Sequence, residues 1–334
     1  MNQSPKEIIQ AAIGFQTPER LPVNGFGCDD IVGVDIKHRE RREKGKLVDE
    51  WGCLWEKTEV KNMGQVKGHP LASLSEHERT TSPDYNEDWR FEDCEGALQA
   101  AEREGKYSMV GIFMILFERM HSLAGFENVL AGLYDDRRNA EALADRILDA
   151  HICLVRNCQE RFGNRLHAFG MTEDWGTQNA AFISMGLWND FFLPRYKRLF
   201  DIMHEGGQDV WVHSCGKVNE VIQGFIDAGV NAVNLQQPRA LGIEEIGRRY
   251  RGKIAFESLA DIQATLPTGK PELVEADAWA LAEHWMMPEG GFVFSDYGDD
   301  AAIGAAGDMK KTMYRAFSKV SEDLYGNPLP EPTW

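Results

Sequence analysis

Residues 211–218 read WVHSCGKV and place His213 two positions before Cys215. On an extended strand, residues i and i+2 point to the same face, so this imidazole and thiol can converge on one point. Thiolate and imidazole are preferred ligands of zinc, and a third protein ligand with an open position makes a catalytic site. The same pair also suits a substrate-binding histidine beside an incidental cysteine, or plain packing. H-x-C alone is too short a pattern to separate these readings. Other candidates follow short apolar runs as His213 does: Asn24, Glu173 with Asp174, Gln236, Glu257, and Asp296 with Asp299. Carboxylates so placed can ligate a cation, orient a substrate or carry a proton. Taken singly, Asp30, Asp261 and Asp300 read better as helix N-caps, an ordinary use of Asp at a strand–helix junction. Cys153 and Cys158, five apart in a helical pattern, read as packing, and His151, His204 and His284 as surface or cap residues. Trp51, Trp55, Trp175 and Trp211 could wall a pocket, although a core position is the commoner use of tryptophan.

Something must bring these positions together. The β-type runs are Leu21–Asn24, Tyr107–Met114, Leu166–Met171, Asp209–His213, Ala232–Gln236, Lys253–Phe256 and Gly291–Ser295. Helical patterns separate them, among them Arg138–Phe162, Trp188–Glu205, Val218–Ala228 and Lys270–Trp285. Apolar strands alternating with helices predict parallel βα units. With one strand unseen, they close a single-domain (β/α)8 TIM barrel over residues 18–320, whose active site lies at the C-terminal ends of the strands. A doubly wound sheet is the competing arrangement. Two segments stand outside the repeat. One is an amphipathic N-terminal helix in MNQSPKEIIQAAIGF. The other is a hairpin over residues 49–70, around a turn at Asn62–Gly64, appended near the barrel mouth.

At 334 residues, with 43% hydrophobic and 10% aromatic residues, the chain suits one such barrel across residues 1–334. Its formal charge of −17 argues against nucleic acid or an anionic membrane surface as a partner. No apolar run approaches the roughly 20 residues a membrane span needs, and the N-terminus lacks a signal-peptide pattern. Six cysteines without framework spacing fit a reducing cytoplasm. A homodimer is compatible with all of this.

The order of motifs resembles the uroporphyrinogen decarboxylase superfamily over nearly the whole chain. TPERLPV (17–23) is similar to that family's first strand, and MTEDWGTQNAAFISMGLWNDFFLPRYKRLFD (171–201) to its segment of an acidic pair, Gly and Gln before a helix. VHSCGKV (212–218), IDAGVNAVNLQQP (226–238), ADIQATLPTGKPELV (260–274) and PEGGFVF (288–294) follow in family order. The resemblance implies the (β/α)8 barrel. It also implies one of two chemistries. Haem-pathway decarboxylases carry an Arg-Gln-Ala-Gly loop after the first strand, where this chain reads NGFGCDDIVG, with two aspartates and no arginine. An acidic loop would repel a substrate rich in carboxylates. The other branch, methyltransferases working with corrinoid proteins, holds zinc through a His-x-Cys pair and a distant cysteine. His213 and Cys215 match the pair. Asp299 stands where the cysteine would be, with Asp296 nearby, so a carboxylate is the expected third ligand.

The resemblance therefore implies a zinc-assisted methyl transfer between a small methylated substrate, or a thiol or folate-type acceptor, and cobalamin carried by a separate corrinoid protein. Glu173 or Asp174 would be the catalytic carboxylate, with Asn24, Trp175, Gln178, Gln236, Glu257 and Asp296 contacting the substrate. A decarboxylase or lyase acting on a small carboxylic acid, and a non-catalytic binding relative, are the alternatives.

Overall fold

The structure, a computed structural model, describes residues 3–43, 45–57, 64–305 and 307–334. Numbered along the chain, the strands are β1 (Val23–Asn24), β2 (Ile31–Val34), β3 (Arg41–Glu43), β4 (Lys46–Val48), β5 (Leu54–Glu56), β6 (Gln65–Gly68), β7 (Tyr107–Ile112), β8 (Ala168–Thr172), β9 (Asp209–His213), β10 (Ala232–Asn234), β11 (Ala255–Ser258) and β12 (Phe292–Ser295). Eight of them form one parallel sheet in the order β1-β12-β11-β10-β9-β8-β7-β2, with helices outside, which is a nearly closed TIM barrel. Each expected strand is present. The unseen one is β2, whose sequence IVGV follows β1 after a short loop with no helix between, so the βα rhythm hid it.

β1 and β2 are the two ends of the sheet, and Asp30 bridges them. Its N–H donates to Val23 O at 2.8 Å, and its C=O accepts from Tyr107 N at 2.9 Å. Its carboxylate accepts from Val23 N at 2.8 Å and, bidentate, from Arg20 at 2.6 and 2.8 Å. Asp30 is thus a seam residue and not the helix cap expected from its position. The loop after β1 is also less acidic than its two aspartates suggested, because Arg20 neutralises one of them.

Side chains alternate along each strand, so every second one enters the lumen. Ile31, Tyr107, Ala168, Trp211, Ala232, Ala255 and Val293 form its lowest layer, packed on Ile9 and Ile13 of the N-terminal helix Pro5–Ile13. That helix opens with a reciprocal Ser4–Glu7 capping box, which satisfies two donors at its N-terminus. The helix plugs the barrel floor.

The excursion near the mouth is larger than a hairpin. β3 to β6 form a four-stranded antiparallel sheet in which β5 and β6 pair Trp55 with Val66. The turn expected at Asn62–Gly64 lies outside the described residues apart from Gly64. The long helix Arg137–Phe162 buries His151, contrary to the surface position expected for it. Its ring lies 5.8 Å from that of Trp51, and burial lowers its pKa to about 3. Among the described residues, no helix is long and apolar enough to cross a membrane.

Candidate active site at the barrel mouth

A cavity of about 1770 Å³ opens at the C-terminal ends of the strands and runs down into the lumen. β9 delivers His213 into it, and Cys215 follows in the next turn. That turn depends on Gly216, which has φ +82° and whose added Cβ would lie 2.4 Å from Gly176 O. Only glycine fits such a position without strain. His213 Nε2 lies 3.2 Å from Cys215 Sγ and 3.7 Å from Asp174 Oδ1. Asp174 Oδ1 also accepts from Cys215 N at 2.7 Å.

Asn234, at the end of β10, holds the other side of the imidazole. With Nδ1 donating to Asn234 Oδ1 at 2.7 Å, Nε2 carries the lone pair that faces Cys215 and Asp174. Histidine ligands of metals are commonly oriented in this way through their second nitrogen. Asn234 in turn bonds Glu257, which also accepts from Asn24 Nδ2 at 2.8 Å. Burial raises the Glu257 carboxyl, and the two amides pull it back toward the charged form.

Asp174, His213 and Cys215 can each present a ligand atom such that all three lie within 4.8 Å of one another. Burial and the charges of Asp174 and Glu118 push the Cys215 thiol well up. No lysine or arginine among the described residues lines the cavity to offset those charges. A set of three donors without a counter-charge, one of them a thiol and one an oriented imidazole, fits a zinc ion.

The expected third ligand is displaced. Asp299 lines the cavity, but its carboxylate accepts from Ala302 N at 3.0 Å and caps the short helix Asp300–Ile303. Asp296 also lines the cavity and is paired with Lys310. The carboxylate beside the His–Cys pair is therefore Asp174.

Glu173 faces the other way. It is fully buried and accepts from Leu116 N at 2.9 Å, from Phe117 N, and from Tyr196 Oη at 2.7 Å. Burial pushes its carboxyl up to about 7 against the pull of those donors. A carboxylate at the N-terminus of helix Phe117–Ala124 is favourably placed for the helix dipole. Glu173 thus anchors that helix and does not line the cavity. The loop leading into the helix contains Met114 at φ 59°, fixed by a 2.8 Å bond from its N–H to Thr172 Oγ1.

That anchored helix supplies a residue the sequence reading missed. Glu118 lines the cavity at 8% exposure, and its Oε2 has no hydrogen-bond partner among the described residues. Burial and the neighbouring charges of Asp174 and Glu173 raise its carboxyl well above the usual range. The clue available was an acidic residue in the first turn of a helix that follows a barrel strand.

Asn24, Gln236, Glu257, Asp296 and Asp299 all line the cavity with His213, Cys215 and Asp174. Trp175 and Gln178 do not. Trp175 is buried and stacked on Phe117 with ring centroids 4.3 Å apart, and Gln178 sits in an exposed turn. Of the other tryptophans, Trp55 and Trp211 face the cavity, whereas Trp51 belongs to the core.

Comparison with known proteins follows this geometry. A methyltransferase from Methanosarcina mazei superposes with a TM-score of 0.69 at 13% identity, over 97% of this chain and 99% of its own. At that identity the likeness is one of fold. A D-psicose 3-epimerase (TM-score 0.43, 12% identity, 70% of this chain and 83% of its own) is less similar. So is native xylanase 10B from Thermotoga maritima (0.36, 12%, 70% and 93%). A search of curated proteins finds no match. The sequence profile described as uroporphyrinogen decarboxylase (URO-D) matches residues 58–295. With well over half of its length matched, the chain belongs to the uroporphyrinogen decarboxylase family.

Proposed function

We propose that the protein is a zinc-assisted methyltransferase, exchanging a methyl group between a small substrate and the corrinoid of a separate protein. The observation that carries this reading is the convergence of Asp174, His213 and Cys215 on one point of a wide, open cavity. Zinc held by these three residues would supply Lewis acidity toward an oxygen or sulfur of the methyl-bearing ligand. With Nδ1 donating to Asn234, the Nε2 lone pair of His213 is turned toward Cys215 and Asp174. Glu118, whose Oε2 has no partner among the described residues and whose burial favours the protonated form, holds a proton for the departing group at the cavity wall. The breadth of the mouth supports access by the edge of a partner's corrinoid ring.

A decarboxylase of the same fold is less well supported. Its carboxylic acid substrate would call for cations, and no lysine or arginine among the described residues lines the cavity.

The test measures zinc content and methyl transfer to free cob(I)alamin from a panel of methyl ethers and thioethers. Wild type should take up one equivalent of zinc. His213→Ala, Cys215→Ser and Asp174→Ala should lose it, and Asp299→Ala should keep it. Wild type that takes up no zinc when it is supplied, or an Asp299→Ala protein that alone loses it, would sink this assignment.

A further inference from the structure

Barrels of this kind fill the lumen with layers of side chains, commonly bulky and branched. Here, among the described residues, one side of the lumen is bare. Gly33 of β2 and Gly111 of β7 take the inward positions, both line the cavity, and both are exposed although Val34, Val110 and Ile112 beside them are buried. Among the described residues, a Cβ built on either meets nothing within 4 Å. Neither residue has positive φ.

Neither backbone conformation nor crowding therefore requires glycine at these two positions. Glycine inside a strand weakens it by roughly 0.5–1 kcal/mol relative to Ala. What remains is close approach of a ligand to the strand backbone, the other common reason for a strand glycine. Gly170 of β8, paired with Gly111, is already covered, since a Cβ there would lie 2.6 Å from Met109 Sδ. The open surface is the peptide backbone around Gly33 and Gly111, with Met109 beside it and Trp211 also facing the cavity.

We infer that the bare backbone of β2 and β7 is a subsite for an uncharged planar ring borne by the methyl-carrying ligand. Peptide planes without side chains present a flat face on which a ring can lie, and the Met109 thioether offers a favourable sulfur–aromatic contact. His213 projects from β9, two strands from β7 and three from β2 in the sheet order, into the same cavity. A ring seated on the glycines can thus carry its methyl group toward the His–Cys pair. The ring is uncharged because Asp29 and Asp35 line the same cavity and no lysine or arginine among the described residues does so. That the ring carries a methyl group rests on the function proposed above; that a ring binds does not.

The experiment is calorimetric titration of the full chain with 2-methoxyphenol and with 2-methoxybenzoate. Wild type should bind 2-methoxyphenol saturably, and the benzoate about tenfold more weakly or worse. Gly111→Val and Gly33→Val should each weaken 2-methoxyphenol about tenfold or more, as overfilling a packed site does. Both should keep wild-type zinc content and an unchanged or higher melting temperature. Absence of saturable binding, equal binding of the benzoate, or undiminished affinity in both variants overturns the subsite. So does failure of both variants to fold, because the glycines would then serve the fold. A wild type that binds the ring but takes up no zinc would instead sink the metal assignment and leave the subsite standing.

Discussion

Truncating Glu173 tests whether this carboxylate builds the site or acts in it. Glu173→Ala removes the acceptor of the Leu116 and Phe117 N–H groups and of the Tyr196 hydroxyl, at a position with no solvent exposure. A buried donor left unpaired costs about 1–3 kcal/mol, and loss of a carboxylate from a helix N-terminus adds about 0.3–1 kcal/mol. Partial relaxation of the loop before Phe117 offsets some of this, so the expected loss is about 3–6 kcal/mol. That is a large share of the roughly 5–15 kcal/mol that holds a typical domain together. Glu173→Gln should lose only about 1–3 kcal/mol, since the amide oxygen can keep the Phe117 and Tyr196 bonds while the Leu116 N–H loses its acceptor. Urea unfolding followed by far-ultraviolet circular dichroism measures both. An alanine variant within about 1 kcal/mol of wild type would refute the anchoring argument. A glutamine variant of native stability that has lost all methyl transfer would instead make Glu173 a chemical participant.

Removing the orienting amide in Asn234→Ala should weaken zinc binding about 10- to 100-fold without removing a ligand, read by competition with a chromogenic chelator. Asp30→Ala breaks a nearly buried bidentate ion pair with Arg20 and should cost about 3–5 kcal/mol in urea unfolding. Acid sensitivity should come partly from Glu50, which burial pushes up but bonds from His38 and Arg90 hold down, at about 2 against an ordinary 4.5. The folded value lies below the unfolded one, so this stability is present above about pH 4.5 and is lost as pH falls toward 2. It amounts to roughly 3 kcal/mol, and Glu50→Gln should flatten acid unfolding over that range. Asp299→Ala should lose only a helix cap, about 1 kcal/mol, in the same urea assay.

The parity of strand residues explains what could be read in advance and what could not. His213 and Cys215 were legible because β9 runs directly into them and both take the inward phase. Applied to β8, the same rule separates the acidic pair. Thr172 faces the cavity, so Asp174 does as well, and Glu173 must point out toward the helices. Neighbouring residues on a strand cannot share a face, and counting from Ala168 would have assigned them correctly. Asp299 came from alignment with a cysteine position; the sequence DDAAI that follows Gly298 instead starts a helix, and its first carboxylate is used as a cap. Glu118 escaped notice because it reaches the cavity from a helix, held in place by a residue more than fifty positions later in the chain. β2 was hidden by Gly33, which weakens the strand pattern where the lumen is left open.

The helix that closes the barrel floor sets an order on folding. Its last turn is fastened by Gly291 N to Ala12 O at 2.7 Å, and Thr17 N donates to Glu289 O at 2.8 Å. The helix therefore cannot be fully fastened until β12, nearly 280 positions further along the chain, is in place. Until β12 adds Val293, the barrel floor that receives Ile9 and Ile13 is incomplete, and part of the helix's apolar face stays exposed. Contacts so distant in sequence slow folding and leave incomplete intermediates prone to aggregation. Shielding of this helix until the barrel is nearly complete would therefore limit aggregation during folding.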